Sequence, residues 1–153
     1  MAQLTLEERY DEKVAAHMLE FGNQMPGLQQ YLGVSLVRIE AGRLWAEADL
    51  SSQEPTPSGN LHGGVIAAVL DHVTGAVVYP VIPAGHWGAT TELKINYLAP
   101  VAPGLLRAEA SVLGMTKRSA VVRGEAYVGD RLVAAAQGTI TIVAPRVTQA
   151  VSS

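Results

Sequence analysis

The sequence predicts an α+β fold in which an antiparallel sheet wraps around a long central helix. Three observations carry this. Six segments have strand character, with two before residue 51 and four after residue 87. One strongly apolar helical segment lies between the two groups, from Gly63 to about Val78. Strands and helices do not alternate as a βαβ parallel sheet would require.

From the N-terminus, Thr5 to about Gly22 reads as a helix. Thr5 suits the N-cap, Glu7 and Glu8 the first turn, and Gly22 the stop, with Leu6, Tyr10, Val14, Met18 and Phe21 at helical spacing. Pro26 and Gly27 open a loop. Val34 to Ile39 and Leu44 to Leu50 are expected strands, joined as a hairpin at Ala41-Gly42. Ser51 to Leu61 is a polar loop, too short for a domain linker. After the central helix, Pro80, Pro83 and Gly85 enforce a turn. Strands are then expected near Gly88 to Leu98, Leu105 to Leu113, Ser119 to Val128 and Leu132 to Val143, the last two joined by a tight hairpin at Gly129-Asp130. Thr91, Leu93, Ile95 and Tyr97 alternate with Thr90, Glu92, Lys94 and Asn96. The tail from about residue 145 is polar and expected to fray.

The 153 residues fit a single domain. Charged residues are 16% of the chain, against about 25% in ordinary soluble proteins, while hydrophobic residues reach 48%. A homo-oligomer that buries part of this apolar surface is therefore expected. Eleven basic against fourteen acidic residues give a net charge of −3, so no overall basic field favours nucleic acid or an anionic membrane. With no cysteine there is no disulfide, thiolate nucleophile or iron–sulfur cluster. Acids stand near the N-terminus where a secretory signal carries a basic start. The longest uncharged run, Val73 to Thr91, is interrupted by Gly75, Pro80, Pro83 and Gly85 and makes a poor membrane span. The expected location is cytoplasmic.

On a helical wheel of about 100° per residue, Val65, Ile66, Val69, Leu70, Val73 and Val77 share the arc that should face the sheet. The opposite arc holds Gly64, Ala67, Ala68, Asp71, Thr74, Gly75 and Val78. Asp71 is thus a lone carboxylate on a face of small residues. It can serve a structural hydrogen bond or ion pair against a twin helix, or it can do chemistry. At the helix start, Gly63 and Gly64 leave the first amide N–H groups unobstructed, an arrangement that suits a developing oxyanion. The same glycines also suit a tight loop-to-helix turn. Gly63 and Asp71 lie roughly 12 Å apart along a helix. If both act on one carbonyl carbon, Asp71 must come from a second subunit whose helix lies alongside, and the small residues would permit that approach.

The segments Thr56-Pro-Ser-Gly-Asn-Leu-His62-Gly-Gly-Val-Ile-Ala-Ala-Val-Leu-Asp71 and Gly88-Ala-Thr90-Thr-Glu-Leu-Lys-Ile-Asn-Tyr-Leu-Ala-Pro100 resemble the hotdog-fold acyl-CoA thioesterases of the PaaI type. The resemblance covers about residues 33 to 143. It implies a hotdog dimer, often a dimer of dimers, with sites at the dimer interface and no cofactor, coenzyme A being part of the substrate. By motif, Gly63 would polarise the thioester carbonyl through its N–H, with Gly64 beside it and His62 shaping the oxyanion loop. Asp71 of the other chain would be the nucleophile or the general base for water, and Thr90 would assist it. The family commonly places Asn or Gln six residues before the His, where this chain has Thr56, which is shorter and lacks the amide donor. Lys117 and Arg118 are the expected anion site for the coenzyme A phosphates, with Arg123 and Arg146 as weaker candidates.

Other chemistries find less support. His62 and His72 are ten residues apart and cannot share a metal within one helix. There is no G-x-S-x-G nucleophile elbow, P-loop or dinucleotide fingerprint. The alternatives kept open are a hotdog enoyl-CoA hydratase or dehydratase and a catalytically weak acyl-CoA binding module.

Overall fold

The computed structural model describes residues 4–145. Three short helices come first: α1 (Leu6–Arg9), α2 (Glu12–Phe21) and α3 (Leu28–Tyr31), with a 3₁₀ turn at Gly22–Gln24. The strands are β1 (Val34–Glu40), β2 (Arg43–Asp49), β3 (Trp87–Tyr97), β4 (Leu105–Met115), β5 (Ser119–Val128) and β6 (Arg131–Val143). Between β2 and β3 lie the central helix α4 (Gly63–Ala76) and a 3₁₀ turn at Tyr79–Val81. All strand pairs are antiparallel, in the order β1-β2-β4-β5-β6-β3. Gly42 (φ 69°) and Gly129 (φ 58°) take the left-handed conformation in the two predicted hairpins, where a side chain would be strained.

The expected N-terminal helix is two helices. Thr5 caps α1 in a reciprocal capping box with Glu8, as its position suggests. Tyr10 then leaves helical geometry, and the Asp11 carboxylate starts a second helix by accepting the N–H groups of Lys13 and Val14. The Asp11 N–H is drawn to the Pro80 carbonyl at 2.7 Å, a contact 69 positions away that local spacing does not contain. The loop expected after Pro26 contains α3. The tail from residue 146, Arg146 included, lies outside the described residues.

Helix α4 lies against a sheet whose inner face is lined with very small residues. Ala46, Ala108, Ala126 and Ala134 face one another across β2, β4, β5 and β6, and Ala110, Gly124 and Ala136 form the next row. All seven are buried. A Cβ at Gly124 would come within 2.8 Å of Thr74 Cγ2 and 3.2 Å of Leu70 Cδ2, so the glycine makes room for the helix. Register shifts in β1, β3, β4 and β6 add the twist by which the sheet wraps around α4. Val69, Leu70, Val73 and Val77 are fully buried against it.

Two wheel assignments change. Thr74 is fully buried on the sheet side, its hydroxyl satisfied by donating to the Leu70 carbonyl at 2.8 Å. Val78, beyond the end of α4, is also fully buried, because the chain has left the α-helical path by that point. What remains open on α4 is Gly63, Gly64, Val65, Ala67, Ala68, Asp71, His72 and Gly75.

Candidate active site

His62 is the N-cap of α4. Its Nδ1 accepts the Gly64 N–H at 3.0 Å, and its carbonyl accepts the Val65 N–H at 2.9 Å. An imidazole that accepts at Nδ1 carries its proton at Nε2 when neutral. The helix therefore does not offer two free glycine donors. The Gly64 amide is committed to His62, and Gly63 keeps the one unpaired N–H of the two, at the positive end of the helix dipole. Gly63 is held from the other side by Tyr97 of β3, whose hydroxyl donates to the Gly63 carbonyl at 3.0 Å. A Cβ at Gly63 would stand 3.2 Å from the Tyr97 ring, and one at Gly64 3.0 Å from His62 Nδ1, so a side chain at either position would need its neighbour to give by a few tenths of an ångström.

Asp71 is exposed, and its carboxylate has no hydrogen bond or ion pair among the described residues. It lies two turns along α4 from Gly63, with the helix unbroken between them, so the separation of roughly 12 Å applies within one chain. Thr90 is close to this end: a Cβ on Gly75, one turn beyond Asp71 on the same face, would be 3.8 Å from Thr90 Oγ1. Simple alternation puts Thr90 on the polar face, and a bulge reverses that. Pairing runs Thr90 to Ile140 and then Glu92 to Thr139, leaving Thr91 as the extra residue. Even-numbered side chains face α4 before the bulge and odd-numbered ones after it, so Thr90 and Tyr97 share the helix side. Gly138 is the counterpart of this bulge, since a Cβ there would fall 2.5 Å from the Glu92 carbonyl oxygen.

Thr56 is turned into its own loop. Its hydroxyl donates to the Asn60 carbonyl at 2.8 Å and lies 2.9 Å from Ser58 Oγ, and its N–H also bonds the Asn60 carbonyl. Within the chain it closes the turn that delivers His62. Lys117 and Arg118 occupy the exposed β4–β5 turn, their side chains without ion-pair partners among the described residues. Arg123 is committed to Glu125 through Nε at 3.0 Å.

His72, considered in the sequence only as a metal ligand, is the polar group that spacing undervalues. It is half-buried beside Asp71, on the wall of a cavity of about 460 Å³ that Asp71 also lines. Burial holds its pKa below the ordinary 6.5, with the Asp71 charge pulling the other way. An imidazole with a depressed folded pKa binds fewer protons than the unfolded chain, so its contribution to stability is lost as pH falls through about 6.5. The melting temperature should therefore drop on acidification from about pH 7.5 to 5.5, and His72→Gln should flatten that portion of the curve. Thermal melts of both proteins across this range check it.

A second hollow of about 420 Å³ adjoins Gly63, walled by Ile66, Tyr97, Leu98 and Val101. The open stripe of α4 thus has a hollow at its Gly63 end and another at its Asp71 end.

Comparison with known proteins identifies the family. Residues 58–135 match the thioesterase superfamily. The chain is 32% identical over 89 residues to the proofreading thioesterase EntH of Klebsiella pneumoniae, covering 58% of this chain and 65% of that protein. It is 27% identical over 95 residues to the 1,4-dihydroxy-2-naphthoyl-CoA hydrolase of Listeria monocytogenes, covering 62% and 77%. The solved phenylacetic acid degradation-related protein of Ralstonia eutropha superposes with a TM-score of 0.77 at 28% identity, over 84% of this chain and 98% of that one. With the matched segment spanning the His62 loop, all of α4 and the greater part of the sheet, the chain belongs to the thioesterase superfamily and has its hotdog fold.

Proposed function

We propose that the protein hydrolyses the thioester of an acyl- or aryl-CoA to a carboxylic acid and free coenzyme A, as a homodimer or a dimer of dimers. The observation that carries the reading is the pairing of an unbonded carboxylate, Asp71, with an unbonded helix N-terminal amide, Gly63, on one open face of small residues.

The oligomer supplies the proximity. β3 is an edge strand of eleven residues with most side chains exposed, among them Trp87 and Tyr97 at 50% and 53%. A long unpaired edge is a template for a second copy. Antiparallel pairing of two β3 edges across a two-fold axis would set the α4 helices side by side in opposite directions, bringing Gly63 of one chain near Asp71 of the other. The hollow at each Gly63 would then continue into the hollow at the facing Asp71.

In that arrangement the Gly63 N–H polarises the thioester carbonyl, and the helix dipole favours the oxygen as it gains negative charge. The partner subunit's Asp71 attacks the carbonyl carbon directly or takes a proton from an attacking water. The C–S bond breaks and the thiolate leaves and is protonated; with water as the attacking group its oxygen ends in the carboxylic acid, and with direct attack a water then hydrolyses the mixed anhydride on Asp71 to release the acid and restore the carboxylate. Thr90, near the same end of α4, is placed to orient the acid or the water. The reaction calls for no cofactor.

Thiol release across aryl, short, medium and long acyl-CoAs, with sedimentation at low micromolar concentration, tests the reading. A hydratase or a binding module releases no thiol, and a fully active monomer would sink the shared site. Lys117 and Arg118 are assigned to the coenzyme A phosphates. Replacing both with Ala should raise KM for a full acyl-CoA by about fivefold at low salt, and by less at high salt, where exposed charges are screened. A truncated pantetheine thioester should be little affected. Steady-state kinetics on both substrates decide it, since equal losses would mean a structural role.

A further inference from the structure

The cavity at Asp71 is a groove between α4 and the N-terminal segment. One wall is the α4 stripe of Asp71, His72, Gly75 and Ala76, continued by Tyr79. The other comes from the N-terminal segment, where Met18 of α2, Gly22 and Met25 at either end of the 3₁₀ turn, and Gln29 of α3 line the groove. The groove therefore runs from the Asp71 carboxylate to beyond the end of α4.

Glycine on both walls has no backbone explanation. Gly22 and Gly75 both have helical geometry, and neither has a positive φ. A Cβ at Gly22 would meet only Leu36 Cδ1 at 3.8 Å and Met18 Cβ at 3.9 Å, and one at Gly75 only Thr90 Oγ1 at 3.8 Å. These are ordinary contacts. Glycine inside a helix costs about 0.5–1 kcal/mol relative to alanine, and nothing packed within the chain demands it at Gly75. What the two positions share is the groove, into which larger side chains would project.

The N-terminal wall is also fixed in place. The Asp11 N–H bonds the Pro80 carbonyl at one end of α2. At the other, the Asn23 side chain bonds β1 twice, accepting the Leu36 N–H at 2.7 Å and donating to the Leu36 carbonyl at 3.1 Å. Gln29 Nε2 ties the Gly22 and Met25 carbonyls together at 2.9 and 3.3 Å. A wall braced in this way holds its shape before a ligand arrives.

We propose that this groove holds the acyl group of the substrate, that the class it selects is a bulky apolar acyl such as a medium-length chain, and that Gly22 and Gly75 set the room available. The proposal rests on the thioesterase reading for its occupant. It is the groove's opening at Asp71, the group assigned to attack, that commits it to the acyl group.

The test compares kcat/KM on decanoyl-CoA and butyryl-CoA. The unaltered protein should favour decanoyl-CoA. Gly22→Leu, which fits the local backbone and fills the groove, should lower the decanoyl-to-butyryl ratio by about tenfold or more. Met25→Ala removes part of the wall at a residue 58% exposed, with little risk to folding, and should raise the ratio. An unaltered ratio in both folded variants, or a preference of the parent protein for butyryl-CoA, would overturn the proposal. So would a Gly22→Leu variant that weakens self-association without moving the ratio, since the groove would then belong to a second copy. Binding of the two acyl-CoAs to Asp71→Asn, with and without Gly22→Leu, separates this proposal from the activity. Selective loss of decanoyl-CoA binding in a protein whose parent releases no thiol would uphold the groove and remove the hydrolysis. Thiol release indifferent to groove size would do the reverse.

Discussion

Asp71→Asn should lower turnover by at least about a thousandfold, ~4 kcal/mol of transition-state stabilisation at about 1.4 kcal/mol per decade. The amide keeps the shape of the side chain and loses the basic or nucleophilic oxygen. Stability should hardly change, within about 0.5 kcal/mol, because exposed side chains without partners contribute little, and Asp71 is exposed with no hydrogen bond or ion pair among the described residues. Melting temperature and kcat measured on one preparation check both halves. A structural carboxylate would give the opposite pattern, a lower melting temperature with activity retained.

Gly63→Pro should abolish turnover to a similar extent, and mixing it with Asp71→Asn chains should restore part of it. Gly63 is the first residue of α4, where proline is well tolerated, and His62 before it is already extended (φ −63°, ψ 137°), as a residue preceding proline prefers. The substitution therefore removes the amide hydrogen with little conflict in the backbone, while the Tyr97 ring must yield by a few tenths of an ångström. A mixed dimer contains one site with both defects and one with neither. Random exchange should then recover about a quarter of the wild-type rate in a two-fold dimer. Folded, demonstrably exchanged chains that recover nothing would contradict a site shared between subunits.

These two experiments draw on features that were legible in the chain before it was folded. The glycine pair after His62, the acid eight residues beyond Gly63 and the small residues around it all lie on one helix, whose periodicity converts sequence spacing into distance. The strands were legible for the same reason, because alternation and turn residues act over a few positions. The inner-face alanines could be read individually as strand residues, whereas their alignment into rows depends on register between strands.

What only the tertiary structure decided involves partners distant in sequence or a local count broken by one residue. Thr91 is extra in β3, so Thr90 crosses to the helix side, a reversal that no alternating pattern contains. The Gly64 amide is unavailable because the His62 ring turns back onto it, a choice of side-chain direction rather than of residue type. Thr56 spends its hydroxyl on a carbonyl four residues on. The N-terminal helix breaks at Tyr10 as Asp11 caps a new helix and reaches Pro80, and Asn23 fastens the segment to Leu36, so that Met18 and Gly22 come to face Gly75. Sequence by itself determined which helix carries the candidate groups Gly63 and Asp71 and how far apart they stand, since both follow from short-range geometry. The cavity beside Asp71 was decided by folding, because its two walls are about fifty residues apart in the chain and meet only through long-range hydrogen bonds and packing.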